Sequence, residues 1–142
     1  MEIDIVLTDK PAPEAREAIL DRLIRFNTEQ AGPSRWRPLA VLLSDRGTGE
    51  TVGGLWGQTY WNWLFVELLF VPAVCRGSGI GSSLLRQAED EAIRRGCVGA
   101  WLDTFSYQAP GFYARLGYTL FGTIEEYPAG HNRFFFKKRL IP

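Results

Sequence analysis

Val71-Pro72-Ala73-Val74-Cys75-Arg76-Gly77-Ser78-Gly79-Ile80-Gly81-Ser82-Ser83-Leu84-Leu85 is the stretch on which the fold turns. Ahead of it, Trp63 to Val71 is almost wholly apolar, the pattern of a central strand covered on both faces. Behind it, Ile80, Leu84, Leu85, Ala88 and Ala92 recur at helical spacing as an inner face, with Arg86, Glu89, Asp90 and Arg94 assigned to the outer one. A buried strand therefore feeds a glycine-rich turn that opens a helix. Glycines admit close backbone approach, the first helical N–H groups lack internal partners, and the helix dipole adds partial positive charge. Arg76 contributes forked donors suited to phosphate oxygens. The turn is built for an anion.

On the N-terminal side, Ile3, Ile5 and Leu7 alternate with Asp4 and Val6 as an opening strand, stopped at Pro11-Ala12-Pro13. Ala15, Ile19, Leu23 and Phe26 then mark a helix that ends at Gly32-Pro33, with a loop or short helix expected from Asn27 to Arg37. Leu39 to Ser44, a turn at Asp45 to Gly49, and Thr51 to Thr59 read as a hairpin, and Tyr60-Trp61-Asn62 turns into the central strand. Gly96 ends the long helix, and Val98 to Thr104, reached by a helical crossover, is expected to run parallel to Trp63 to Val71. A short helix over Ala109 to Leu116 and two strands, Tyr118 to Tyr127 and His131 to Leu140, complete an α/β layer with a mixed sheet.

The 142 residues are sized for a single domain over 1–142. Sixteen basic and sixteen acidic side chains cancel, so no positive field exists to hold nucleic acid or an anionic membrane. The longest apolar run, Trp63 to Val74, is broken by Glu67 and Pro72 and falls short of the ~20 residues of a membrane span. Met1-Glu2-Ile3-Asp4 has no basic start or apolar core of a secretion signal, which points to a cytoplasmic location. Cys75, Cys97 and His131 are too few ligands for a structural zinc site, so no metal is expected. Sheet edges and exposed aromatics leave a homodimer open.

Three phosphate-binding loops compete for the turn. A nucleoside-triphosphate loop needs Gly-Lys-Ser/Thr at its end, which is missing. A dinucleotide fingerprint needs a third glycine where Ser82 stands, although Asp103 could imitate its ribose-binding acid. A purely structural tight turn is the remaining alternative. Against these, Arg76-Gly77-Ser78-Gly79-Ile80-Gly81 resembles the arginine/glutamine-x-x-glycine-x-glycine signature of the Gcn5-related N-acetyltransferases (GNAT). Phe112-Tyr113-Ala114-Arg115-Leu116-Gly117-Tyr118 resembles that family's second, aromatic-Tyr-x-x-x-Gly-aromatic segment at the expected distance.

The resemblance spans nearly the whole chain. It implies a mostly antiparallel mixed sheet of about seven strands, with a central parallel pair splayed into a V and helices on both faces. It also implies acetyl-coenzyme A as donor and an amine of a small molecule or peptide as acceptor. By the same likeness the coenzyme A diphosphate rests on Arg76, Gly77, Ser78, Gly79, Ile80, Gly81 and Ser82, the arm runs past Leu69, Phe70 and Val71, and Phe112 and Tyr113 close the pocket. Ser106 stands where many members carry an asparagine that bonds the arm, with Gln108 as a substitute. A coenzyme A-binding regulatory module without turnover is the alternative in another class.

Acyl transfer to an amine needs an oxyanion donor, help for the departing sulfur and a base. By family position, an N–H near Leu69 or Phe70 serves the first and the Tyr113 phenol the second. A lysine-like acceptor, with a pKa of ~10.4, costs about 4 to 5 kcal/mol to deprotonate at pH 7. Glu67, an acid in the middle of an apolar strand, is the first candidate base, because burial would raise its affinity for a proton. His131 is the second and Asp103 a weaker third. Trp56, Tyr60 and Trp61, within an aromatic-rich region that includes Trp36 and Trp63, could face a cationic acceptor. Family analogy alone adds Asn27.

Overall fold

A computed structural model describes residues 1–142. The chain forms two units, Met1–Ser34 and Arg35–Pro142. In the first, α1 runs from Pro13 to Ala31, entered at a proline in its first turn and closed by Gly32 at φ 82°, whose N–H donates to the Thr28 carbonyl. Asn27 therefore lies within the helix rather than in a following loop. The opening strand is not formed: Ile3, Ile5 and Leu7 stay exposed, and no other segment of that unit is extended to pair with them. Alternation alone cannot make a strand where there is no ladder to join.

The second unit holds a six-stranded mixed sheet in the order β1-β2-β3-β4-β6-β5. Its strands are β1 Arg37–Ser44, β2 Thr51–Tyr60, β3 Trp63–Phe70, β4 Gly99–Phe105, β5 Thr119–Glu125 and β6 Asn132–Arg139. Two helices complete it, α2 Ile80–Arg94 and α3 Pro110–Arg115. Six strands replace the expected seven because the opening one is missing. β2 and β3 meet at Trp61 and Asn62, both at positive φ (44° and 62°), a two-residue hairpin turn that matches the twist of the strands without a glycine.

The core lies between α2 and one sheet face. Leu85, Ala88 and Ala92 of α2 are fully buried against β1, β2 and β3, together with Leu55, Leu64, Ala100 and Leu102. Alanines at the contact let helix and sheet approach, and each buried leucine contributes roughly 1.5–3 kcal/mol. Glu89, assigned to the outer face, is buried with them at 8% exposure. Its place one turn after Leu85 and one before Ala92 puts it on the inner stripe.

β3 and β4 are the one parallel pair, and they pair only from Trp63↔Gly99 to Val66↔Leu102. Beyond that rung residues 68–70 keep their ladder to β2 and residues 103–105 theirs to β6, but the two segments no longer bond each other. The sheet splits there into a V. The cause is a bulge: Gly57 pairs with Val66 and Trp56 with Leu68, so Glu67 has no partner across the ladder. An extra residue bends and twists its strand, which turns β3 away from β4. Leu68 and Phe70, expected to be covered, are exposed at this divergence. The other end is shut, with Val98 N–H donating to Asn62 O (2.8 Å) and Leu140 N–H to Val98 O (2.9 Å).

Candidate active site

The glycine turn sits at the open end of the V. After a short 3-10 turn at Ala73–Cys75, Gly77 and Gly79 take φ of 81° and 80°, the left-handed region open mainly to glycine. Gly79 caps α2, and its carbonyl receives the first helical bond, from Ser83 N–H (3.0 Å). The N–H groups from Gly77 to Ser82 have no protein acceptor. They converge with the positive end of a fifteen-residue helix. Arg76 Nε donates to the Val71 carbonyl (3.0 Å) and its guanidinium lies 5.9 Å from the Phe70 ring centre, so the side chain is oriented while its outer nitrogens stay available. The Ser78 hydroxyl donates back to Cys75 O (2.8 Å) and shapes the turn, leaving its N–H among the unpaired ones.

The two motifs touch. A Cβ added at Gly81 would meet the Phe112 ring at 3.3 Å, so the ring from the second motif lies directly against the turn of the first. Next to it, Tyr113 is buried between Phe112, Tyr118 and Phe136, with ring centres 5.1, 6.1 and 6.1 Å away. Its hydroxyl has no protein partner, yet no polar side-chain atom of the chain is both buried and unsatisfied; the phenol oxygen therefore keeps access to open space. Burial, and second the Asp103 carboxylate, push the phenol pKa up to about 12. At neutral pH it is a standing hydrogen-bond donor.

Several expected site residues already bond within the chain or lie away from the divergence. Ser106 is committed to β6, its N–H donating to Asn132 O (2.8 Å) and its hydroxyl accepting from Asn132 N–H (2.9 Å). Gln108 Oε1 accepts from Thr104 Oγ1 (2.9 Å) and Phe105 N–H (2.7 Å), fastening the turn between β4 and α3. Gln108→Ala should accordingly lower stability by about 1–2 kcal/mol, because the buried Thr104 hydroxyl loses its acceptor. Urea unfolding checks this, and a collapse of coenzyme A affinity instead would return Gln108 to the cofactor. Tyr60 and Trp61 sit at the shut end of the V, far along β3 from its divergence. Trp56, by contrast, is half-exposed across from Leu68, beside the bulge.

Glu67 is exposed, not buried as the apolar run implied, and the bulge places it at the point where the strands part. His131 is also exposed, in the turn before β6, with its ring edge-on to Tyr107 at 5.1 Å. That ring belongs to a group the sequence reading missed. At the open end of β4, Arg133 is paired with Asp103 (2.7 Å), donates to the Tyr127 hydroxyl (3.1 Å), and lies 5.1–5.6 Å from the rings of Phe105, Tyr127 and Phe135. Its parts come from two strands and a loop, so spacing along the chain could not reveal it.

Residues 6–118 match the family model described as the Acetyltransferase (GNAT) family. The chain belongs to that family. An acetyltransferase of Agrobacterium fabrum is 39% identical over 137 residues, which are 96% of this chain and 99% of that protein. The blasticidin-S acetyltransferase of Streptomyces morookaense is 46% identical over 93 residues, 65% of this chain and 68% of that one. Among solved structures, an acetyltransferase from Agrobacterium tumefaciens superposes with a TM-score of 0.91 at 39% identity, over 96% of this chain and 99% of that one. More distant structures of the same fold, at 20% identity, include a streptothricin acetyltransferase from Bacillus anthracis in complex with acetyl coenzyme A and an aminoglycoside 6'-N-acetyltransferase complexed with coenzyme A. As a GNAT protein with acetyltransferase relatives this is an N-acetyltransferase, which sets aside a regulatory module without turnover. No helix is long and apolar enough to cross a membrane.

Proposed function

We propose that residues 1–142 work as one acetyl-coenzyme A-dependent N-acetyltransferase that modifies a primary amine of a small molecule by direct transfer in a ternary complex. One observation carries this reading: beside the partnerless N–H groups of Gly77 to Ser82, the Phe112 ring packs against Gly81, and the adjoining Tyr113 phenol, without a protein partner, feels the Asp103 carboxylate on the stretch of β4 that has parted from β3. The turn would take the diphosphate and the V the arm, whose amide groups replace the missing rungs between residues 67–70 and 103–105. The amine nitrogen attacks the thioester carbon, the carbon–sulfur bond breaks, and the amine gives up a proton.

Tyr113 would help the sulfur by hydrogen bonding more than by complete proton transfer. With its pKa at about 12 against ~8.5 for an ordinary thiol, handing over the proton outright is uphill by roughly 5 kcal/mol. A donor fixed beside a developing thiolate needs no such transfer to lower the barrier. Glu67, exposed where the strands begin to part, would take the amine proton directly or through water. Glu67→Gln should lower kcat roughly tenfold with a strongly basic amine and much less with an amine already neutral at pH 7. Equal losses with both amines would remove Glu67 as the base.

The blasticidin-S acetyltransferase relative favours an antibiotic-like amine over a protein acceptor. Incubation with acetyl-coenzyme A and a panel containing blasticidin S, a streptothricin, an aminoglycoside, a polyamine and a peptide amine, followed by thiol release and mass, tests this. Acetylation confined to the peptide would overturn the small-molecule reading.

A further inference from the structure

Tyr113 stands on weak local support. α3 is only six residues long and has no side-chain cap, and a helix that short cannot hold a ring in place by itself. What fixes it comes from outside. Tyr118 N–H donates to the Tyr113 carbonyl (3.0 Å) and its ring lies edge-on to the Tyr113 ring, 6.1 Å away at 76°. Tyr118 is itself buried at 4% exposure, and its hydroxyl donates to Glu89 Oε2 (2.7 Å). Lys138 Nζ donates to the other carboxylate oxygen (3.0 Å) and sits 5.5 Å from the centre of the Tyr118 ring.

Glu89 belongs to α2, the helix whose first turn carries the free N–H groups of the glycine turn. Leu85, Ala88 and Ala92 surround it on that stripe. A carboxylate on that apolar stripe carries a desolvation cost, which its bonds to the Tyr118 hydroxyl and the Lys138 ammonium offset. Its two oxygens are both used, one on the tyrosine and one on the lysine. The result is a rigid strut from the anion-binding helix, through Glu89 and Tyr118, to the ring of Tyr113.

We propose that Glu89 and Tyr118 are positioning residues for the acyl-transfer step, holding the Tyr113 hydroxyl at the sulfur in a fixed relation to the helix that binds the diphosphate. The proposal rests on the reading of Tyr113 given above. A phenol displaced by a fraction of an ångström is a poorer donor but obstructs nothing, so the loss falls on turnover and not on coenzyme A affinity.

The test is a double-mutant cycle. Tyr118→Phe keeps the ring and removes the hydroxyl, and should lower kcat about tenfold while coenzyme A binding by calorimetry stays within about twofold. In a Tyr113→Phe background the same change should alter kcat by less than about twofold, because the group being positioned is gone. Glu89→Leu combined with Tyr118→Phe, which removes acceptor and hydroxyl together so that no buried hydroxyl is left unpaired, provides the same comparison if Tyr118→Phe alone does not fold. Glu89→Gln, which retains an acceptor oxygen, should restore most of the rate. Equal losses with Tyr113 intact and in the Tyr113→Phe background, or no loss at all, overturn the strut while leaving the enzyme assignment intact. A Tyr113→Phe enzyme as fast as its parent overturns the reading of Tyr113 and this inference with it, and a chain that binds no coenzyme A overturns the donor assignment.

Discussion

Tyr113→Phe should reduce kcat by roughly two to three orders of magnitude and leave coenzyme A affinity within about twofold. Both halves of that expectation follow from the geometry. The ring packs among Phe112, Tyr118 and Phe136, and phenylalanine preserves all of those contacts, so neither the fold nor the divergence of β3 and β4 changes. The hydroxyl makes no protein hydrogen bond, and its removal leaves no partner stranded. A polar atom on an otherwise buried ring, bonded to no protein group and not sealed from solvent, is available to a ligand. Steady-state thiol release at saturating acetyl-coenzyme A, beside calorimetry with coenzyme A, separates the two quantities. Retention of full turnover would mean that the sulfur leaves without help from this side chain.

Gly57→Ala should destabilise the protein by about 3 kcal/mol and take the activity of the remaining folded fraction down with it. Gly57 is buried on β2 next to the bulge, where an added Cβ would overlap the carbonyl oxygen of Phe65. That obstacle is backbone in the central strand, with no rotamer to escape into. Relief requires β2 to draw away from β3 or the register to slip, and either removes the bulge at Glu67 that opens the V. Gly122→Ala is the control, since its Cβ would meet Phe135 at an ordinary 3.8 Å and should change stability by less than about 0.5 kcal/mol. Urea unfolding of the pair decides the matter; similar midpoints would show that β2 can yield at no cost.

The element order of residues 37–140 could be read from the chain because each signal was local. Gly96 ends α2, the 61–62 turn follows from hairpin length, and the parallel pair follows from the handedness of a helical crossover. The glycine turn was legible for the same reason, its parts being contiguous from Arg76 to Ser82. Failures came where the deciding partner is distant in sequence. Ile3 to Leu7 alternates like a strand but has nothing to pair with in its unit. Glu67 was placed in a covered strand because a bulge depends on the neighbour, although Gly53, Gly54 and Gly57 in β2 were a visible sign of irregular pairing. Glu89 needed only stricter helical arithmetic, and Ser106 and Gln108 turned out to hold the chain's own backbone.

An extended run of peptide with free bonding capacity is normally a hazard at the rim of a sheet, where any foreign strand can attach and seed aggregation. Here such a run lies in the middle of the sheet, between 67–70 and 103–105, flanked on either side by strands that remain bonded. A second protein chain cannot enter sideways, because the wedge closes at Val66 and Leu102. Only a slender, threadlike guest with amides of its own can slide in from the wide end, so the same divergence that creates stickiness also restricts what can stick.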